Sequence, residues 1–328
     1  MQFRLISVVS LAMASMAAHA SFDLMIVPDS SGNGYVRYDP INRVALGTVN
    51  VMNGNRVTAI SSNPNGLYAY SSGWMQVNNF TGERISNPTF ATSTLLYNLD
   101  GSKVATYTNF SVNINSLSPS SGFLIAGPSW SVPGGFTVQG MTSVSGNRWV
   151  VYGNSAAGMS AYLINDSGLT INSLVGFIPL ANMMTSGIGM GTRVQYGSTE
   201  YFTMAYRPNS VSHGLVSLQV TGSSLVYASG QTLGNYSTAN VNTSLGLVAG
   251  HTGLFVVGAD ATTPTSARIT EFDSAPIFVS VSSYTTSAFS PHTSGSWRMT
   301  NLVAPEPGPM IALGVGLAAL IGRRRRKN

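Results

Sequence analysis

The chain predicts an all-β fold, a degenerate β-propeller of about six or seven blades. Three observations predict it. Short apolar stretches, bounded by Gly, Asn, Ser or Pro, replace any helical periodicity between residues 21 and 304. Most of them are apolar on both alternating faces, which suits strands covered by stacked sheets. A strand running into a polar turn also recurs along the chain, at about the length of a four-stranded blade.

The apolar stretches are Leu67–Tyr70, Phe123–Ala126, Trp149–Tyr152, Tyr201–Tyr206 and Leu254–Val257. Asp23–Val27 has the character of an opening strand. Trp297–Val303 is placed to complete a blade by pairing with it. The recurring element begins with Gly34-Tyr35-Val36-Arg37-Tyr38-Asp39-Pro40 and returns in Gly73-Trp74-Met75-Gln76-Val77-Asn78-Asn79. Further copies are read at 161–168, 215–222 and 268–273, with one double gap between the second and third. Each copy would be a strand, an Asx or Gly turn, and a returning strand. A β-sandwich pair and a β-solenoid remain open as alternatives.

The 328 residues are enough for one large domain. Only 8% are charged, against a usual share of about 25%. With 44% apolar and 9% aromatic residues the chain still has the means to fold. The net charge of +5 belongs to the ends. Arg4 and five of the last six residues hold six of the sixteen Lys and Arg, and Glu306 is one of the eleven acids. Ten of each sign remain in the body, so it is formally neutral and offers no basic patch for nucleic acid. The absence of Cys excludes disulfides, thiolate metal sites, thiol catalysis and lipid attachment through an N-terminal Cys.

The N-terminal segment reads as a signal peptide over residues 1–20. Arg4 supplies the charge, 5–18 the apolar stretch, and Ala18-His19-Ala20 a small-x-small cleavage site, with cleavage between Ala20 and Ser21. The Sec translocon and signal peptidase are the implied partners. Residues 305–328 form a second signal of three parts: Pro305-Glu306-Pro307, an uncharged segment from Met310 to Gly322, and Arg323-Arg324-Arg325-Arg326-Lys327. As a helix the apolar segment would span about 20 Å, short of a hydrocarbon core of about 30 Å. The basic cluster would remain cytoplasmic and retain the segment in the membrane. The exported all-β domain is then 21–304.

That tail resembles the PEP-CTERM sorting signal of Gram-negative bacteria. The resemblance covers the last two dozen residues and leaves the body free to be anything. It implies recognition by an exosortase and cleavage near Pro305-Glu306-Pro307. It also implies passage through the inner membrane to the cell surface or extracellular matrix, with association with exopolysaccharide and biofilm. The body in turn resembles bacterial propellers carrying an apolar strand followed by Tyr-Asp-Pro, here Tyr38-Asp39-Pro40.

No catalytic constellation stands out. His213, His251 and His292 are the body's histidines, read as separate turn or surface residues and not as a metal site. Glycosidic chemistry needs two facing carboxyl groups. Asp23, Asp29 and Asp39 lie close in sequence, and Glu271 and Asp273 would share a face on a regular strand. Asp29 lacks the spacing of a calcium loop, so turn capping is its expected work. Gly187-x-Gly189-x-Gly191 lacks a βαβ context and reads as a loop. Trp74, Trp130, Trp149 and Trp297 are read as core, with sugar stacking as the functional alternative. No cofactor or metal is expected. The expected role is a non-enzymatic binding or structural component of the matrix, with a site on the propeller's central face built from loop Asn, Ser, Tyr and Arg. The alternative is a polysaccharide hydrolase or lyase on the same scaffold.

Overall fold

The computed structural model describes residues 21–28, 34–50, 59–63, 66–70, 74–77, 96–117, 124–179, 191–209, 212–237, 245–250, 253–273, 278–290 and 300–305. Among them every regular element is a strand. Sheet 1 contains β1 (Ser21–Pro28), β2 (Gly34–Asp39) and β3 (Val44–Asn50). Sheet 2 is β4 (Ala59–Asn63), β5 (Gly66–Tyr70) and β6 (Trp74–Val77). Sheet 3 is β7 (Leu96–Tyr97), β8 (Lys103–Tyr107) and β9 (Ser111–Leu117), with β10 (Leu124–Ile125) and β11 (Ser129–Ser131) both pairing with β9. Sheet 4 is β12 (Thr137–Val144), β13 (Arg148–Ser155), β14 (Gly158–Asn165) and β15 (Thr170–Ile178). Sheet 5 is β16 (Gly191–Tyr196), β17 (Thr199–Asn209), β18 (Ser212–Val220) and β19 (Leu225–Leu233). Sheet 6 is β20 (Gly246–Ala249), β21 (Leu254–Ala259), β22 (Ala267–Phe272) and β23 (Ser280–Thr286). β24 (Thr300–Pro305) ends the series. All pairings with a described register are antiparallel between neighbours in sequence, apart from the β11–β9 return.

Backbone contacts divide the chain into Met25–Asn301 and a smaller unit of Met1–Leu24 with Leu302–Asn328. The larger unit is a β-propeller, and among the described residues successive meanders pack face to face from sheet 3 through sheet 6 and on to sheet 1. Trp149 and Val151 of β13 meet Val112, Ile114 and Trp130 of sheet 3. Val150 and Tyr152, on the opposite face of the same strand, meet Phe202 and Met204 of sheet 5. Leu215 of sheet 5 packs with Leu254 and Val256 of sheet 6. Phe255 and Val257 then pack with Met25, Val36 and Tyr38 of sheet 1, which joins the last meander to the first. A strand between two sheets must be apolar on both faces, and this explains the runs without alternation in β13, β18 and β21. β4, β7, β12, β16 and β20, the first strands of their sheets, form a row around the centre. The last strands face solvent, and exposed and covered residues alternate along β15 and β23.

The recurring element marks one structural position. Its copies fall on β2, β6, β14, β18 and β22, and the turns that follow β2, β14 and β18 lie within the described residues. Short polar side chains cap these turns as Asx and hydroxyl chemistry requires. Asp39 Oδ1 accepts from the amides of Ile41 (3.0 Å) and Asn42 (2.9 Å). Asn165 Oδ1 accepts from Ser167 and Leu169, both at 3.0 Å. Thr221 Oγ1 accepts from Ser224 at 3.0 Å. The double gap is sheet 3, where β9 holds the equivalent place without an Asx turn among the described residues.

The outer strands share a second feature that the sequence pattern does not announce. In four sheets the ladder to the outermost strand carries an extra residue there, at Leu46, Ile171, Ala228 and Val281, and the sheet 4 ladder shifts a second time where residues 175–177 stand opposite Ser160. β3, β15, β19 and β23 contain neither a charge nor an interior Pro, the usual guards of an exposed edge. A bulge bends and twists the edge away from straight pairing, and here it stands where Lys would otherwise stand.

Three expectations need correction. Phe123–Ala126 is not a strand covered on both faces: β10 is two residues long and Ile125 is exposed. The segment is pulled away from a regular ladder because β11 takes the same neighbour, β9. Gly191 is not in a loop. It opens β16, and its amide donates to Tyr152 Oη at 2.8 Å. Gly187 and Gly189 lie outside the described residues. Glu271 and Asp273 do not share a strand face, because β22 stops at Phe272 and its ladder shifts register there.

In the smaller unit β1 and β24 are neighbours in one sheet, as expected for a C-terminal strand returning to the N-terminal one. β24 runs to Pro305, so the first residue of the Pro305-Glu306-Pro307 motif closes a strand. Residues 1–20 and 306–328, with the expected terminal helices, lie outside the described residues.

Candidate functional site

A cleft of about 160 Å³ opens between sheets 5 and 6. One wall is the end of β19 and the segment after it, with Gln231, Thr232 and Asn235; the other is β22 and β23, with Thr270, Ser280 and Ser283. Strand parity places these groups. Ile269 packs toward sheet 1, so its neighbours Thr270 and Phe272 turn toward sheet 5. Ser283 is the register partner of Thr270, and Ser280 of Phe272, which puts both serines on that face. Gln231 pairs with Leu215 and Leu233 with His213, and both Leu215 and Leu233 sit in the core between sheets 5 and 6.

The first wall is fixed by many bonds. The amide of Ser237 donates to Ala259 O at 2.8 Å and that of Ala261 to Asn235 O at 3.2 Å. His213 Nε2 lies 3.2 Å from Ser237 O. A carbonyl only accepts, so the bond requires the Nε2–H tautomer. The phenol of Tyr236 lies 3.0 Å from Val256 O and 2.7 Å from Thr270 Oγ1. Tyr236 is the donor in both bonds and shares its one hydrogen between Val256 O and Thr270 Oγ1. Thr270 Oγ1 and Ser283 Oγ lie 3.1 Å apart in a hydroxyl–hydroxyl bond, and Ser283 Oγ accepts from Arg268 Nη1 at 3.1 Å. The result is a chain of bonds from guanidinium to carbonyl. Burial pushes the Tyr236 phenol well above its ordinary pKa, which keeps it a donor.

Arg268 is anchored in turn. Its Nε donates to Asp260 Oδ2 at 2.6 Å, and that carboxylate is fully buried. Burial alone would raise the Asp260 pKa. The donors from Thr262, Thr263 and Arg268 outweigh it and hold the pKa at about 2. A second buried carboxylate, Glu200, joins sheets 4 and 5. It accepts from the amide (2.9 Å) and hydroxyl (2.6 Å) of Ser145 and pairs with Arg193, with Arg148 at 3.8 Å. Burial opposes its ionisation, and these hydrogen bonds overcome it and bring the pKa below the usual carboxylate range.

Asp39 caps the β2–β3 turn, and Glu271 accepts from Ser282 at 3.0 Å. Asp166 accepts from Trp149 Nε1 at 2.7 Å. No group of three or more His, Cys, Asp or Glu able to hold a metal occurs among the described residues. His213 was expected at a turn or the surface, but it is the second residue of β18 and is 2% exposed. Its burial lowers its pKa, against the bond to Ser237 and with help from Arg207. Trp130 and Trp149 are core, at 2% and 0% exposure. The side chains of Trp74, Trp297, Asp23, Asp29, His251 and His292 lie outside the described residues. So do most connections between sheets, and with them most of the central face expected to carry the site. The cleft instead lies between two sheets. Its residues, spread over 231–236 and 270–283, carry no motif; the one local hint was the density of hydroxyl residues around 280–286.

The fold is thus that of the β-propeller class, and comparisons with known proteins agree at that level. No family model matches the chain, and no curated protein matches it. A protein of unknown function from Bacteroides caccae is similar at 11% identity and TM-score 0.54, over 86% of this chain and 99% of that one. A protein from Lactobacillus plantarum is similar at 10% identity and TM-score 0.51, over 86% and 99%. Hydrazine synthase of Kuenenia stuttgartiensis matches 74% of this chain and 71% of that one, at 13% identity; its TM-score of 0.48 carries no argument about chemistry.

Proposed function

We propose that this protein is an exported, surface-sorted, non-enzymatic β-propeller that binds within an extracellular polysaccharide matrix. The reading is carried by how the carboxylates are used. Among the described residues Asp39, Asp166, Glu200, Asp260 and Glu271 each accept hydrogen bonds that cap turns or join strands and sheets. Acid–base cleavage or elimination needs titratable groups poised at a reacting bond. A cleft of hydroxyls and amides suits recognition instead.

The address comes from the ends of the chain. Pro305-Glu306-Pro307, the apolar segment and the Arg cluster resemble a PEP-CTERM signal, with export by Sec, removal of residues 1–20 by signal peptidase, and handling by an exosortase. The test combines location with intact mass. Protein recovered from the cell surface should begin at Ser21 and lack the residues beyond the Pro305-Glu306-Pro307 region. Deleting 305–328 should abolish surface display. Unchanged display after that deletion would remove the sorting reading, and cleavage of matrix polysaccharide by the pure protein would remove the non-enzymatic one.

A further inference from the structure

We infer that the cleft between sheets 5 and 6 binds a single uncharged sugar ring, at a chain end or side branch of a polymer. The inference rests on the matrix-binding reading and narrows it to one site and one ligand class.

The first argument is hydrogen-bond capacity. Gln231 and Ser280 are exposed at the cleft, and their side chains make no hydrogen bond among the described residues. Each can both donate and accept, as a sugar hydroxyl does. Ser283 bonds Thr270 and already accepts from Arg268. A hydroxyl has one hydrogen and two lone pairs, so capacity for one further bond to a ligand remains there.

The second argument is charge. Arg268, the cation joined to the cleft through Ser283, is also bound to Asp260. An ionised carboxylate or sulfate entering the cleft would lose water without meeting an uncompensated cation, and that is costly. A neutral polyol loses only hydroxyl hydration, which the lining replaces.

The third argument is size and rigidity. A space of about 160 Å³ is below the roughly 300–1,000 Å³ of sites that enclose whole ligands, so it admits one ring and not a length of polymer. Leu233 and Phe272 give the ring's C–H face an apolar floor. The wall at 234–237 is held by backbone bonds, by Tyr236 and by His213, so little ordering entropy is lost on binding.

The experiment is ligand-observed NMR and calorimetry on the full chain, with neutral glucan, galactan and mannan oligosaccharides and with uronic acid oligomers. Two proteins are compared: wild type and Gln231→Ala with Ser280→Ala. Both substituted side chains are exposed, and an unchanged melting temperature shows that the fold is intact. The expected result is binding of a neutral oligosaccharide, weakened about tenfold or more by the double substitution. Neutral binding that ignores the double substitution would overturn the site and leave the matrix reading in place. So would a preference for uronic acid oligomers. No binding of any oligosaccharide would overturn both.

Discussion

Glu200 offers the sharpest test of how the sheets hold together. Its side chain is 7% exposed and bonds Ser145, on the β12–β13 turn, to Arg193 on β16. Glu200→Ala removes three charge-assisted bonds and leaves the Ser145 amide and Arg193 Nε without their acceptor, while Arg148 keeps its bonds to Ser145, Thr221 and Gly222. Breaking a buried pair from one side costs about 3–5 kcal/mol. Arg193 is 30% exposed and can regain water, which points to the lower end, about 3 kcal/mol. At about 2 °C per kcal/mol for a domain of this size, the melting temperature should fall by about 6 °C. Glu200→Gln keeps the shape and one acceptor oxygen and should lose about half as much. The pH dependence follows from the depressed pKa. A carboxyl with a lower pKa in the folded state contributes its stability above the unfolded value, about 4.3, and loses it as pH falls through the folded value. Urea titrations at pH 7 and pH 3, read by tryptophan fluorescence, measure both effects. A loss below about 0.5 kcal/mol at pH 7, or an equal loss at both pH values, would refute the claim that this carboxylate joins sheets 4 and 5.

Other outcomes follow from the same structure. Asp260→Asn should weaken the protein at pH 7 but cost little near pH 2, since the wild-type carboxyl is ionised down to about 2; thermal scans across that range read the convergence. His213 has a folded pKa below its unfolded value, so the unfolded chain takes up the proton first and stability falls as pH drops below about 6.5. His213→Gln should flatten that limb in a pH series of urea midpoints. Arg207, Tyr236 and the Ser237 carbonyl are the groups that face the ring or act on it. Gly191→Ala should cost about 1–3 kcal/mol, because its Cβ would stand 2.3 Å from the buried Phe202 ring; an unchanged melting temperature would show that this contact relaxes freely.

Much of the architecture was legible because it is local. The apolar strand and its capped turn are written within eight residues of one another, as in Gly34–Pro40 and in the residues around Asn165. Such segments give the same conformation wherever they occur, so their spacing revealed the repeat and its position in the blade. Two-faced burial was legible too, since Trp149 to Tyr152 has no polar side to offer water. The reading failed where a neighbour decides. Nothing near Phe123–Ala126 says that β11 will take the same edge of β9. Nothing near His213 says that Ser237 and Tyr236 will cover it.

The sequence by itself determined an all-β, cysteine-free, formally neutral body of repeated meanders between two signal-like ends. Tertiary structure alone decided which strand faces meet, where the outer ladders bulge, and that Gln231 stands opposite Thr270, Ser280 and Ser283. The reason is physical. A strand's propensity and its turn depend on residues a few bonds apart, whereas a cleft between sheets exists only after the packing of two apolar faces has fixed the parity and register of every side chain around it.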